Sequence, residues 1–172
     1  TLPLFFIFYA YNIRMSKYPN LLLDNQLCFA LYAATNSIIR YYRFYLKEIG
    51  ITYPQYLVLI TLWESDCKNA SDIAKLLKLD LPTITPILRK IENMGLITRS
   101  RSKDDERIIN IKLTKKGIDL EESVAVIQHK VACKTHLSEK NFNALKASLY
   151  DLTDNMEINP EDINDLKMNY CK

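Results

Sequence analysis

A change of hydrophobic period at Gly95 constrains the fold of this chain more than any other feature. Before it, NASDIAKLLKLDLPTITPILRKIENMG has apolar residues at helical spacing with one break, which predicts two short helices joined by a tight turn. Asp80 is placed to cap the second helix. After Gly95, LITRS and RIINIKLT alternate between polar and apolar residues, which predicts a β-hairpin around the loop RSKDDER. A helix-turn-helix followed by a hairpin is a winged helix. The buried stripe of the second helix is expected to be Ile84, Ile87, Leu88 and Ile91.

Longer helical segments flank this region. From Leu23-Asp24 to about Lys47 the apolar residues recur at helical spacing, and Asp24 is a suitable N-cap. ITYPQYLVLITLWE predicts a helix that begins with Pro54 at its first position. Residues 115 to about 156 predict two further helices, broken near 136–138. With only three glycines in 172 residues, we expect a mainly α-helical protein with a small β-hairpin wing.

The composition limits location and partners. Four widely spaced cysteines without a C-x-x-C pair form neither a disulfide scaffold nor a zinc ribbon. They fit a reducing compartment, so we expect a cytoplasmic protein. The opening run TLPLFFIFYAY is too short to span a bilayer and lacks the basic residues that precede a signal-peptide core. We interpret Met15 as the natural start; a membrane or export segment is the alternative.

Positive charge is concentrated in the winged-helix region. The net charge is only +3, yet nine basic and four acidic residues lie between positions 89 and 116. Such a surface binds phosphate without reading sequence, whereas side chains near the start of the second helix reach base edges in the major groove. A solvated helix face is the alternative interpretation. The predicted contacts with double-stranded DNA in this stretch are Thr83, Thr85, Arg89, Arg99, Arg101 and Lys103.

The wing sequence DERIINIKLTKKG resembles the MarR-family pattern D-x-R-x5-L-T-x-x-G through Asp105, Arg107, Leu113, Thr114 and Gly117. In that family the wing arginine enters the minor groove and the aspartate orients it. The resemblance implies those roles for Arg107 and Asp105, and a surface ion pair is the alternative. It also implies an obligate homodimer on a pseudo-palindromic operator, with recognition helices about 34 Å apart.

The same resemblance, which covers about residues 21 to 155, assigns the parts of the chain. Residues 51–114 are expected to form the winged helix-turn-helix domain. Residues 21–50 and 115–156 are expected to form a helical dimerisation region. Residues 1–20 are then an apolar N-terminal extension outside the fold, and residues 157–172 a polar C-terminal tail.

Cys28, in LLLDNQLCFALYAA, has two interpretations. With Asp24 as N-cap it lies in the first turn of its helix or just beyond, where the positive end of the helix dipole favours a thiolate. The same position suits a hydrophobic staple against Leu23, and free cysteines are often buried. Position alone leaves both interpretations open.

The sequence around Cys28 resembles the branch of the MarR family that senses organic hydroperoxides. LDNQLCFALYAA and YYRFYLKEIGITYPQYLVLITLWE carry this resemblance. It implies that Cys28 reacts with the peroxide and that Tyr42 and Tyr53 hydrogen-bond it. On one continuous helix Cys28 and Tyr42 would lie about 21 Å apart, so these tyrosines must come from the other subunit. Cys133 matches the resolving cysteine of two-cysteine sensors, which implies a bridge between subunits.

Three alternatives remain. The H-x3-C-x2-H spacing from His129 to His136 contains ligand types that zinc uses, although no fourth ligand is apparent. A MarR-type repressor can instead be released by a small phenolic ligand in the dimer cleft. A thiol peroxidase would use Cys28 in its first step and leave the winged helix without a role. Cys67 and Cys171 match no family position and are interpreted as bystander thiols.

These observations predict a homodimeric transcription repressor, not an enzyme. The reduced protein is expected to bind operator DNA, and oxidation of Cys28 by an organic hydroperoxide is expected to release it. No cofactor, metal or membrane partner is expected.

Overall fold

The computed structural model describes residues 16–101 and 109–157. The predictions for Met15, Lys103, Asp105, Arg107 and Cys171 therefore lie outside the described residues. In chain order the helices are α1 (Leu27–Leu46), α2 (Tyr53–Glu64), α3 (Ala70–Leu76), α4 (Leu81–Asn93), α5 (Lys115–Asp119), α6 (Glu121–Lys134) and α7 (Glu139–Asn155). The strands are β1 (Lys68–Asn69), β2 (Ile97–Arg101) and β3 (Ile109–Leu113). The chain forms two compact units, the first ending at Gln128 and the second beginning at His129.

The predicted helix-turn-helix is confirmed in α3 and α4. The side chain of Asn69 caps α3 by accepting the Asp72 N–H at 2.8 Å, and Asp80 caps α4 by accepting the Thr83 N–H at 2.8 Å. Each cap satisfies a backbone donor that the first helical turn leaves without a partner. After α4, Gly95 has φ 70°, a left-handed conformation that glycine adopts without steric strain, and the chain continues into β2. Of the predicted stripe, three residues are buried and Ile87 is partly exposed.

The predicted wing belongs to a three-stranded antiparallel sheet of order β1-β3-β2. In the hairpin, Ile97 pairs with Leu113 and Arg101 with Ile109. The additional strand β1 has two residues, and Lys68 pairs with Ile111. A two-residue strand shows no alternation, so periodicity cannot reveal it.

Two details of the flanking helices differ from expectation. Asp24 is not the N-cap of α1, because Leu23–Asn25 forms a short 3-10 turn and Gln26 occupies the cap position. The Gln26 N–H bonds to the Leu23 carbonyl at 3.0 Å, which closes that turn before the α-helix begins. Pro54 is the second residue of α2 and not the first, since Thr52 is the N-cap.

The region after the wing has three helices and not the predicted two. Thr114 caps α5 by accepting the Gly117 N–H at 3.1 Å, and Leu120 separates α5 from α6. The predicted later break is confirmed, since α6 ends at Lys134 and Ser138 caps α7. No helix in residues 16–101 or 109–157 is long and apolar enough to cross a membrane.

Apolar side chains form a buried core in the first unit and are exposed on one helix of the second. In the first, the core is formed by fully buried residues from α1, α2, α3, α4 and the sheet, among them Leu46, Leu59, Ile73, Ile91 and Ile111. In the second, α7 exposes large apolar side chains at spacings of three or four residues, which place them on one helical face. These exposed residues are Phe142, Leu145 and Leu149.

Candidate functional site

The face of α4 opposite its buried stripe is polar and exposed. Thr83, Arg89 and Lys90 are exposed there, and Thr83 lies in the first turn. Thr85 is only partly exposed, and its hydroxyl donates to the Leu81 carbonyl at 2.8 Å. The Thr83 side chain is also engaged, because its hydrogen bond to the Asp80 carboxylate lowers the pKa of that group. The two predicted threonine contacts therefore differ in exposure, and the hydroxyls of both are hydrogen-bonded near the start of α4.

Arg99 and Arg101 have different surroundings although both lie on β2. Arg101 is exposed at the end of the strand. The guanidinium of Arg99 forms an ion pair with Glu92 of α4, with Nε donating to Oε2 at 2.7 Å. This hydrogen bond holds the pKa of the Glu92 carboxyl below its usual range. Arg99 thus joins the wing to the recognition helix, a contact that sequence alone did not indicate.

Cys28 is the second residue of α1. Its side chain is exposed in the single chain. The backbone N–H groups of a first helical turn have no partner within the helix, so this is the positive end of the helix dipole. The staple interpretation is wrong, because a staple joins the residue before the cap to the fourth helical residue. Those positions are Asn25 and Ala30, not Leu23 and Cys28.

The structure brings Tyr42 and Tyr53 together and adds Tyr56 to them. Ring centroids lie 5.1 Å apart for Tyr42 and Tyr53, and 4.9 Å apart for Tyr42 and Tyr56. The Tyr56 hydroxyl donates to the Tyr42 hydroxyl oxygen at 3.2 Å, which leaves the hydrogen of Tyr42 for another acceptor. Burial raises the pKa values of Tyr53 and Tyr56, so both phenols keep their protons at neutral pH.

Cys28 and this tyrosine cluster lie far apart within one chain. Helix α1 is continuous from Leu27 to Leu46. At 1.5 Å per residue, the fourteen residues from Cys28 to Tyr42 correspond to about 21 Å. Tyr53 begins α2 and packs beside Tyr42. The single chain therefore does not assemble the predicted cysteine–tyrosine site, as the spacing on one helix led us to expect.

Cys133 lies at the end of α6 and is exposed. Its Sγ lies 3.5 Å from Nε2 of His129, one helical turn earlier. His136 lies beyond the helix with φ 54°. Among residues 16–101 and 109–157, no group of three or more His, Cys, Asp or Glu side chains is arranged to hold a metal ion.

The first unit also contains an apolar cleft between α2 and α6. Its volume is about 370 Å³. The floor and walls include Tyr56, Ile60, Trp63, Val124 and Ala125. The indole N–H of Trp63 donates to the Gly117 carbonyl at 3.1 Å, which fixes the orientation of that ring.

Comparison with known proteins agrees with this geometry. Residues 40–124 match the family described as transcriptional regulator SarA/Rot. The organic hydroperoxide resistance transcriptional regulator of Bacillus subtilis is 38% identical over 141 residues, which are 82% of this chain and 96% of that protein.

Solved structures point the same way. AbfR of Staphylococcus epidermidis has been solved in a reduced, DNA-bound form that is 32% identical, with a TM-score of 0.67 over 78% of this chain and 92% of that one. A disulfide-formed AbfR is 33% identical, with a TM-score of 0.57 over 78% and 90%. The fold is also that of a mutant Escherichia coli MarR bound to operator DNA, at 21% identity, a TM-score of 0.67, and coverage of 73% of this chain and 92% of that one.

Proposed function

We propose that this chain, which belongs to the MarR/SarA family of winged-helix transcriptional regulators, senses organic hydroperoxides. It acts in the cytoplasm as a homodimeric repressor that binds a pseudo-palindromic operator when reduced. An organic hydroperoxide oxidises Cys28, and the oxidised dimer releases the DNA. Two observations favour this inducer. The chain is similar to the Bacillus subtilis organic hydroperoxide regulator, and Cys28 and the tyrosine cluster have the chemistry that the reaction needs.

The placement of Cys28 carries the proposal. It lies in the first turn of α1, at the positive end of the helix dipole. Its side chain is exposed in the single chain, so a peroxide can reach the sulfur. The tyrosine cluster supplies the second half of the site, because Tyr42 accepts a hydrogen bond from Tyr56 and can donate its own hydrogen. About 21 Å of helix separates the halves, so Cys28 meets Tyr42 and Tyr53 of the partner subunit in a dimer.

Exposed apolar surface supports the homodimer. Helix α1 leaves Leu27, Tyr32 and Phe44 exposed at 61%, 67% and 67% of their surface in the single chain. Helix α7 exposes Leu145 and Tyr150 at 50% and 65%. Apolar surface on this scale marks an interaction site in a chain that folds in water, and it lies on the segments assigned to dimerisation.

The reaction uses two electrons from sulfur. The thiolate of Cys28 attacks one peroxide oxygen, the O–O bond breaks, and an alcohol leaves after taking up a proton. Cys28 becomes a sulfenic acid. The thiol of Cys133 from the partner subunit then attacks that sulfur, which forms a disulfide and releases water. The disulfide-formed state of AbfR supports this second step by analogy.

DNA binding depends on α4 and the wing. Thr83 and Arg89 on the exposed face of α4 reach base edges and phosphates, and Arg101 of β2 contacts phosphate. By family analogy, Arg107 and Lys103 extend this contact, and Asp105, two positions before Arg107 in the sequence, orients that arginine. A new covalent bond between subunits changes the spacing of the two α4 helices, which must match one DNA turn of about 34 Å.

A second candidate function rests on the cleft lined by Tyr56 and Trp63. Its volume of about 370 Å³ lies within the range of small-molecule sites. A phenolic ligand stacked there would release DNA without oxidation. In that case Cys28→Ser protein would still respond to its inducer, whereas a hydroperoxide sensor loses its response.

The proposal is tested on a non-reducing denaturing gel after one equivalent of an organic hydroperoxide. Wild-type protein should form a linked dimer, and neither Cys28→Ser nor Cys133→Ser should do so. Cys67→Ser is the matched control, because Cys67 is also exposed and should not affect linkage. In parallel, fluorescence anisotropy with an operator fragment should show release for wild type and Cys67→Ser only.

Each other result has a defined meaning. If oxidised wild type stays monomeric on the gel while Cys28 carries a sulfenic acid by mass spectrometry, the sensor uses one cysteine. If Cys28→Ser still releases DNA with hydroperoxide, the redox proposal is wrong. Sustained consumption of hydroperoxide with a thiol reductant would indicate a peroxidase.

A further inference from the structure

The proposed function gives Cys133 a role but gives none to His129, the histidine beside it on α6. The chain has two histidines, and one of them places Nε2 at 3.5 Å from Cys133 Sγ. Both residues lie on α6, four positions apart, so the helix itself holds them on one face. Both side chains are exposed.

The zinc interpretation leaves this pair incomplete. A structural zinc site needs four ligands and a catalytic site three, and the described residues offer no third His, Cys, Asp or Glu beside these two. His136 follows the end of α6 in a left-handed conformation, with φ 54°. An imidazole beside a thiol also suits proton transfer, because histidine is the side chain that gains and loses a proton near neutral pH.

We propose that His129 is the general base for Cys133 in the step that forms the intersubunit disulfide. His129 accepts the proton of the Cys133 thiol as that sulfur attacks the sulfenyl sulfur of Cys28 in the partner subunit. The S–O bond of the sulfenic acid breaks, and the leaving hydroxide takes up the proton to form water. The oxidant is the organic hydroperoxide that formed the sulfenic acid.

The chemical need for such a base is plain. Only the thiolate attacks efficiently, and a free cysteine is a few per cent thiolate at pH 7. Complete deprotonation would therefore speed the attack by up to about thirtyfold. The rate of disulfide formation matters, because a sulfenic acid that persists can be oxidised further and irreversibly. This inference rests on the proposed two-cysteine reaction.

The first test measures the two steps separately in the dimer. Samples are quenched with a thiol-blocking reagent after addition of an organic hydroperoxide, and mass spectrometry follows loss of the Cys28 thiol and growth of the Cys28–Cys133 disulfide. His129→Ala should leave the first rate unchanged and slow the second about tenfold. His136→Ala is the matched control and should resemble wild type.

Free imidazole distinguishes a base from a structural role. Because both side chains are exposed, added imidazole should restore much of the disulfide rate in His129→Ala and change wild type little. A wild-type rate in His129→Ala would overturn the inference, and so would a slow rate that imidazole does not restore.

A second measurement is independent of Cys28. In a Cys28→Ser, Cys67→Ser, Cys171→Ser background, Cys133 is the remaining thiol, and its reaction with an aromatic disulfide reports its nucleophilicity. His129→Ala should slow this reaction about tenfold at neutral pH. If wild type forms no disulfide with hydroperoxide but this effect is present, the proposed function fails and His129 still activates Cys133. If the effect is absent, His129 is not the base.

Discussion

Gly117→Ala should destabilise the protein, because a methyl group has no room at this position. A Cβ built on Gly117 would lie 2.1 Å from the Leu96 carbonyl oxygen and 3.1 Å from Cδ2 of Leu113. The obstacle is backbone, which cannot move aside as a side-chain tip can. Only glycine fits at the last position of the wing motif, because α5 lies directly against the Leu96 carbonyl, just before β2 begins.

The expected loss follows from what must move. The Leu96 carbonyl has to retreat by about 0.9 Å to reach even the shortest real contact of 3.0 Å. It also accepts the Thr114 N–H at 3.0 Å, and a lost hydrogen bond costs about 1 kcal/mol. Overpacking adds about 1–3 kcal/mol, and the better helix propensity of alanine returns up to about 1 kcal/mol. Together these contributions give a net loss of about 1–4 kcal/mol, with about 2–3 kcal/mol at the centre of that range.

Thermal unfolding followed by circular dichroism measures this loss. The protomer concentration is kept fixed, because the stability of a dimer depends on that concentration. A loss of about 2–3 kcal/mol lowers Tm by roughly 4–12 °C for a chain of this length. Gly50→Ala is the matched control. Gly50 has φ 75°, and no atom of the described residues lies within 4 Å of its built Cβ, so this variant should lose only about 1 kcal/mol to left-handed strain. A Gly117→Ala protein as stable as Gly50→Ala would refute the steric argument.

Three further substitutions test the site. Tyr56→Phe removes the donor to Tyr42 and should cost about 1 kcal/mol of stability while slowing Cys28 oxidation by hydroperoxide; an unchanged oxidation rate would remove Tyr56 from the site. Arg89→Ala should weaken operator binding by about 1–3 kcal/mol in anisotropy titrations, and a fall of about one in the salt slope would identify a phosphate contact; unchanged affinity would place Arg89 off the DNA. Arg99→Ala should weaken DNA binding with little change in salt slope, because its guanidinium binds Glu92. A double-mutant cycle with Glu92→Ala should then show non-additive losses, and additive losses would mean that Arg99 contacts DNA directly.

Much of the winged helix was predictable because its signals are local. The side chains of Asn69 and Asp80 each accept the backbone N–H of the third residue after them. The residue type at the cap position therefore indicates where each helix begins. The change of period after Gly95 likewise lies within a few residues. Local rules of this kind need no knowledge of distant parts of the chain.

The errors arose where a competing local or distant contact decided the outcome. Asp24 is a good cap by type, yet a 3-10 turn closed by the Leu23 carbonyl moves the cap to Gln26. The part played by Arg99 depends on Glu92, seven residues away in another element. Tyr56 resembles any buried helix residue until α1 and α2 pack and its hydroxyl meets Tyr42.

The length of α1 links sensing to assembly. Because about 21 Å of continuous helix separates Cys28 from Tyr42, one chain carries both halves of the proposed redox site and cannot join them. In the proposed dimer, the partner subunit brings its tyrosine cluster to the cysteine. The same pairing of chains sets the distance between the two α4 helices, which determines whether they fit one turn of DNA. The proposed sensor is therefore reactive in the same assembled form that binds the operator, and oxidation acts on the protein that is repressing.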